Sequence, residues 1–225
     1  MIRAMRQIAL LAGKDLRIES RSRATLSLVL VLGVLIVVVL GLGLGASNQA
    51  SGFAATSILW VAYLFGGVMC FEKTMAVERR DGALAGLLLA PVDRGILFAG
   101  KLVSNLALML ALAMVVTPVA LVLFAFDLSA APLGFVAVTL LGMVGFAAVG
   151  TLFSAVTSSS RLQGGLLAML VFPICLPLVL ASTQIMMDLF GRGTGLTAQA
   201  AGILAAFDAV YLVVSWLAFD KALQP

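Results

Sequence analysis

A chain of 225 residues that is 63% hydrophobic and 11% charged, with a mean hydropathy of +1.19, is an integral membrane protein, because soluble domains hold about 45–50% apolar and about 25% charged residues. Apolar runs of about 20 residues recur along the whole length, each able to cross about 30 Å of hydrocarbon, which leaves no room for a soluble catalytic domain. The net charge of +4 sits in segments flanking those runs, where topology and anionic lipid account for it, so no nucleic-acid partner is expected. Histidine is absent, which removes the commonest general base and the commonest haem or zinc ligand. Cys70 and Cys175 lie in or beside apolar runs without CxxC or metal-ligand spacing, and read as small packing residues. No catalytic residue and no metal site is expected.

Residues 1–24 carry Arg3, Arg6, Lys14, Arg17, Arg21 and Arg23 between Ile2, Met5, Ile8, Ala12 and Leu16. This spacing predicts an amphipathic helix on the inner leaflet, with a frayed basic tail as the alternative. Thr25 to Gly45 exceeds the roughly 7–15 residues of a signal-peptide core and reads as the first span. The closing Gly41-Leu42-Gly43-Leu44-Gly45 ends an apolar helix instead of joining a strand to a helix. It marks helix termination or close packing, not a nucleotide loop. The second span covers Phe53 to Phe71. Trp60 and Tyr63 are expected there as an interfacial anchor, and Ala62, Gly66 and Cys70 as a small-residue seam for another helix.

Residues 72–101 hold Lys73, Arg79, Arg80, Arg94 and Lys101, together with Asp81-Gly82, an apolar face of Leu84, Leu87 and Leu88, and Pro91. The basic residues place this segment at the cytoplasmic surface. Asp81 is expected to cap a short helix, Gly82 to allow a change of direction, and Pro91 to end the helix. The result is a docking platform for a soluble partner, the alternative being a basic loop with one amphipathic turn. Gly95 to Lys101 has the spacing of the first seven positions of a Walker A loop. Leu102 stands where a Ser or Thr must hold magnesium, however, and no strand precedes it. Any ATP therefore binds another chain.

Span three runs from Leu102 to Phe126 with a kink at Pro118, and Asp127 to Pro132 makes a turn. Span four, Leu133 to Val156, is rich in Gly and Ala, and Thr157 to Arg161 forms a loop. Span five, Leu162 to Thr183, contains Pro173 and Pro177, which free backbone carbonyls inside the bilayer, so it is expected to be broken or strongly bent. Residues 184–196 form a polar link, and Thr197 to Phe219 is span six. Asp208 lies near the centre of that span, where a charge costs roughly 2.5–3.5 kcal/mol. It is assigned with Pro173 and Pro177 to the transport pathway or a subunit interface, the alternative being a neutral packed carboxyl. With the N-terminus inside, only Arg192 of the 14 basic residues falls outside. The expected fold is one all-α membrane domain over 1–225: six transmembrane helices, both termini cytoplasmic, an N-terminal interfacial helix and a coupling helix between spans two and three.

The stretch from Glu78-Arg79-Arg80-Asp81-Gly82 through Leu84, Leu88, Pro91 and Arg94 to Gly100-Lys101 resembles the cytoplasmic segment after span two in ABC-2-type exporter permeases. Their pattern is Glu-Arg-Glu, a variable residue, Gly-Thr-Leu-Glu, a Leu-rich run, a turn, Arg and Gly-Lys. This chain departs from it at Arg80, Ala83 and Ala85. Within that superfamily the chain is similar to the haem exporter protein B family, the CcmB-type permeases of cytochrome c biogenesis. The resemblance rests on Asp15-Leu16-Arg17, on Phe71-Glu72 leading to Asp81-Gly82, on Phe172-Pro173-Ile174-Cys175-Leu176-Pro177-Leu178, and on six spans with almost no external domain.

This resemblance implies a permease subunit, without catalytic activity of its own, of a two-permease, two-ATPase exporter in the bacterial inner membrane. It would act in haem delivery to the periplasm for c-type cytochromes. Glu78, Arg79, Asp81, Gly82, Leu84, Leu87 and Leu88 would couple it to the separate ATPase subunit that holds ATP. A second copy of the chain, a haem-handling membrane subunit, a periplasmic haem chaperone and membrane lipid are the implied partners, with haem as a transported or transferred ligand. Lacking histidine, the chain is not expected to hold haem by His ligation. An ABC-2 exporter of a drug, lipid or glycan and an ATP-independent secondary transporter or channel remain as rival readings.

Overall fold

Helices are the only way for consecutive apolar residues to satisfy their own backbone in lipid short of a closed barrel, and the computed structural model is helical over all but a few junction residues of the ones it describes: 2–22, 24–43, 51–80, 86, 93–124, 128–158, 165–191 and 196–222. Among these, α1 (Ile2–Ser22) precedes α2 (Ala24–Gly43), α3 (Ser51–Arg80), α4 (Arg94–Phe124), a 3-10 turn (Leu128–Ala130), α5 (Pro132–Ser158), α6 (Leu166–Gly191) and α7 (Ala198–Ala222). Among the described residues, six stretches are long and apolar enough to cross a membrane, one in each of α2 to α7. Successive spans alternate in direction. Arg94 at the start of α4 reaches Asp220 at the end of α7, with Nη1 to Oδ1 at 2.8 Å. The Gly165 N–H, just before α6, donates to Glu72 Oε1 late in α3 at 3.2 Å. That glycine has φ +104°, a conformation open to Gly at little cost.

Three helices run well past their expected bounds, α3 reaching Arg80 instead of Phe71, with α4 and α6 the other two. α4 starts at Arg94 rather than Leu102, because Asp93 caps it: its Oδ1 accepts the Gly95 N–H at 2.8 Å and its carbonyl accepts the Leu97 N–H at 3.2 Å. The resulting 31 residues are about 46 Å long, well beyond about 30 Å of hydrocarbon, and the charged Arg94–Lys101 portion supplies the excess. α6 continues to Gly191 through residues expected as a polar link. Met186 and Leu189 are buried there and extend the inward stripe of Leu178 and Ser182.

Span five was expected to be broken or strongly bent; of these two the break is absent, since α6 is one continuous helix through both Pro173 and Pro177. Pro177 offers no N–H to the Pro173 carbonyl. One residue along, the Ile174 carbonyl accepts the Tyr211 hydroxyl of α7 at 2.7 Å, so protein supplies a donor beside the gap.

The core lies between α3 and α5. α3 contributes Leu59, Trp60, Tyr63 and Phe71, all fully buried, and α5 receives them on glycines: a β-carbon at Gly142 would strike the Trp60 ring, and one at Gly150 the Phe71 ring. This corrects the reading of Trp60 and Tyr63 as interfacial anchors. Large rings against glycines bury more apolar area than a belt position would, and the Tyr63 hydroxyl is satisfied within the bundle by Thr117 Oγ1 at 2.6 Å. Gly66 admits Leu112 of α4, as the small-residue seam of α3 requires. Gly33 and Gly41 of α2 meet α4 at Val116 and Leu123. α2 and α7 lie outermost, turning Val31, Leu35 and Val39, and Val210, Val213 and Leu217, outward.

Candidate functional site

Polar side chains are costly in an apolar bundle unless paired, and one linked set gathers where α1 meets α4. Gly100 brings the two helices together: a β-carbon there would lie 2.8 Å from Leu11 Cβ. One residue later, Lys101 Nζ donates to Asp15 Oδ2 of α1 at 2.9 Å, with the two side chains 8% and 6% exposed. Ser104, one turn further along α4, lies 3.2 Å from the same carboxylate oxygen and 2.8 Å from the Gly100 carbonyl. Lys14 approaches the other oxygen at 3.4 Å from a half-exposed position. Asp15 is thereby held by a buried cation, a wetter one and a hydroxyl. The Gly100-Lys101 and Asp15-Leu16-Arg17 elements, 86 positions apart in the chain, form one joint.

The joint continues into the bundle. Lys101 Nζ also lies 3.4 Å from the Thr74 carbonyl of α3. Thr74 Oγ1 stands 2.6 Å from the Cys70 carbonyl and 2.8 Å from Asn105 Oδ1, so its one proton is divided between two acceptors. Asn105 Nδ2 then donates to Thr151 Oγ1 of α5 at 2.8 Å. Four helices are fastened in this way at one end: α1 through Asp15, α3 through Thr74, α4 through Lys101 and Asn105, and α5 through Thr151. Glu72 and Phe71, adjacent in α3, add α6 through Gly165 and the core through Gly150.

Charge paired in this way binds helices to one another. Among the described residues, no group of three His, Cys, Asp or Glu side chains converges as a metal site would. The Gly95–Lys101 segment is helix throughout, which gives no phosphate-cradling loop, and its lysine is committed to Asp15.

Of the expected coupling residues, Glu78 and Arg79 belong to the last turn of α3, and Asp81, Gly82, Leu84, Leu87 and Leu88 lie outside the described residues. The segment that holds them leaves from α3 a few residues after Thr74 and returns at Asp93, one helical turn or two before Gly100-Lys101. Asp208 is buried on the inner side of α7, in line with Leu204, Ser215 and Phe219. It rests against Gly145 of α5, inside its own bundle. Pro173 and Pro177 turn their rings outward on α6 beside the exposed Leu176 and Leu180. On its other face α6 reaches Asp208's surroundings through Leu178, which packs at Gly145, and through the Ile174 carbonyl, which accepts the Tyr211 hydroxyl.

The linkage of Asp15 to Lys101 was not anticipated. The available signal was Lys101, Ser104 and Asn105 at i, i+3 and i+4 in an otherwise apolar helix, a polar stripe that must face protein. Gly100→Ala tests the close approach. The new β-carbon would face Leu11 Cβ, which is tied to its backbone and cannot swing aside. Overpacking of this kind costs about 1–3 kcal/mol, and proteolysis within α1 in reconstituted membranes should accelerate accordingly, while unchanged protection would refute the contact.

A search of curated proteins finds no matching relative. The sequence profile described as CcmB protein matches residues 5–225, a span that takes in both halves of the Asp15–Lys101 joint and all six apolar helices. The chain therefore belongs to the CcmB family, the haem exporter B branch of the ABC-2-type permeases.

Proposed function

We propose that this chain is the permease subunit of an ATP-driven exporter serving haem delivery to the periplasm in c-type cytochrome biogenesis. The family match over residues 5–225 carries this reading. A separate ATPase subunit holds ATP and docks on residues 72–101, gripping the short helix after Asp81-Gly82 by Leu84, Leu87 and Leu88, with Glu78 and Arg79 at its edge. The polar joint supports this mechanism. A push on the segment between α3 and α4 reaches Lys101 directly, and the buried pair with Asp15 makes α1 move with α4. A second copy of the chain completes the permease. A haem-handling membrane subunit and a periplasmic haem chaperone receive its output, with haem as the transported or transferred ligand.

The same end of the bundle is assigned to the cytoplasm of an inner-membrane protein. The support is charge: α1 with its arginines, Arg94, Lys101 and Lys221 all lie there, as the positive-inside bias demands. α1 itself lies along the inner leaflet. A shallow groove of about 330 Å³ on its outer side, lined by Leu10, Lys14, Arg17, Ile18 and Arg21, offers both apolar and cationic contact to anionic lipid. An impermeant thiol reagent applied to intact cells should label cysteines placed at Ser51 and Arg192 and spare those at Ser22 and Asp93. Labelling at 93 would reverse the orientation.

The functional reading is tested by removing the chain from a bacterium that depends on it and staining c-type cytochromes for covalent haem. Staining should vanish and return with the intact gene. Normal staining in its absence would exclude a role in haem delivery.

A further inference from the structure

An indole has an apolar body and one N–H donor, so in a membrane protein it settles where hydrocarbon gives way to headgroups. Trp216 of α7 meets that description. It stands 18 positions after Ala198, about 27 Å along the helix and so close to one edge of about 30 Å of hydrocarbon. Asp208 apart, no charged residue lies between Ala198 and Asp220, and Asp220 follows one turn later, among the headgroups. This level follows from α7 crossing the membrane, whichever end faces the cytoplasm.

The bundle positions Trp216 without burying it. Its ring lies on α4 at Gly95, where a β-carbon would strike it, and forms a T-shaped pair with Phe98 at a centroid distance of 6.0 Å. The residue nevertheless stays 49% exposed. Beside it, between the start of α4 and the end of α7, is a cleft of about 480 Å³ lined by Asp93, Arg94, Gly95, Trp216, Leu217 and Asp220. Arg94 joins the two walls. Its Nη1 donates to Asp220 Oδ1 at 2.8 Å and to the Asp220 carbonyl at 2.9 Å, one of the last carbonyls of α7 and so without an intrahelical donor. Both bonds run through Nη1, which leaves the Nη2 and Nε donors of the guanidinium fork for an acceptor from outside the chain. Asp93 holds the Gly95 N–H with Oδ1 and keeps its other oxygen. One cation thus stands between two carboxylates, next to a half-exposed indole.

A ligand that complements this cleft carries an anion for Arg94 and the indole N–H, and a cation for the carboxylates and the aromatic ring. At the headgroup level of a membrane, the molecules that carry both are zwitterionic phospholipids. Their acyl chains continue into the hydrocarbon, and α7 offers them a path: Val210, Val213, Val214 and Leu217 are exposed at the i, i+3, i+4 and i+7 spacing of one helix face. A carboxylate bonds more strongly to an ammonium that keeps its protons than to one that is fully methylated. We infer that the cleft binds the headgroup of phosphatidylethanolamine, with the phosphate on Arg94 and the Trp216 N–H and the primary ammonium on Asp220 and Asp93. The lipid joins the start of α4 to the end of α7, and so reinforces an ion pair that, half-exposed, holds weakly by itself.

The test is lipid retention by the purified full chain in native mass spectrometry. Phosphatidylethanolamine, phosphatidylcholine and phosphatidylglycerol with the same acyl chains are offered together at equal concentration. The native chain should hold the ethanolamine lipid in about tenfold excess over the choline lipid, as one added charge-assisted hydrogen bond implies. Asp220→Asn should abolish this preference. Arg94→Gln should lower the retention of all three lipids, since each presents the same phosphate. Both substitutions fall at a half-exposed pair, where the fold tolerates them. Equal retention of ethanolamine and choline lipids by the native chain would overturn the proposal. Preference for the glycerol lipid would do so as well, by revealing a site for anionic lipid. An ethanolamine preference that persists in Asp220→Asn, or retention untouched by Arg94→Gln, would place the bound lipid elsewhere on the protein and remove this cleft as its site.

Discussion

Lys101→Ala is expected to detach α1 from the bundle. The substitution leaves the Asp15 carboxylate buried without its principal cation, a change that typically costs about 3–5 kcal/mol. Lys14 is a second cation at 3.4 Å, but its side chain is 38% exposed and water screens it, so its compensation is partial. Removing both charges in Asp15→Ala/Lys101→Ala should recover part of the loss, because the greater penalty comes from the orphaned charge rather than from the missing attraction. Thermal unfolding in nanodiscs and protease cleavage within α1 both read the effect. Equal stability of Lys101→Ala and the native chain would mean that the buried pair does not hold α1. If the pair also transmits ATPase-driven movement, covalent haem attachment should fall in Lys101→Ala even at matched protein levels.

The six spans were legible because lipid imposes one solution on a long apolar run: a helix that satisfies its own backbone. What the bundle does with polar residues was less legible. Trp60 and Tyr63 resembled a belt by their distance from the helix end, and only packing against Gly142 and Thr117 shows them as core. The stretch after Thr183 looked like a link because it contains Gln184 and Asp188, while Met186 and Leu189 keep the helical stripe that decides the matter. Pro173 and Pro177 suggested a break, yet Tyr211 on another helix places a hydroxyl beside the interrupted turn, and no periodicity within span six announces that. The same limit hid the pairing of Asp15 with Lys101. Both residues were visible as parts of family patterns, but only three-dimensional packing brings residues so far apart in the chain to 2.9 Å. Asp208 was found by its cost in lipid alone, and its place against Gly145 and Leu178 emerged only from the packing of α5.

The second large effect is expected at Leu88, where the proposed mechanism begins. If the helix after Asp81 lies in a groove of the ATPase, Leu84, Leu87 and Leu88 form the apolar stripe that such a contact buries. Leu88→Glu would then place an unpaired carboxylate in that contact at a cost of about 3–5 kcal/mol, enough to weaken binding by two to four orders of magnitude at about 1.4 kcal/mol per tenfold. Asp81→Ala should do less, since an N-cap is worth about 0.5–2 kcal/mol. Residue 88 follows α3 and precedes α4 in the chain, within the basic segment expected at the cytoplasmic surface, so insertion and permease level should be unaffected. The decisive measurement is co-purification of the ATPase subunit with this permease from solubilised membranes, native chain against Leu88→Glu, at equal permease level. ATPase recovery is predicted to collapse with Leu88→Glu and to decline only modestly with Asp81→Ala, and undiminished recovery with Leu88→Glu would contradict the account that the ATPase drives this permease through residues 72–101.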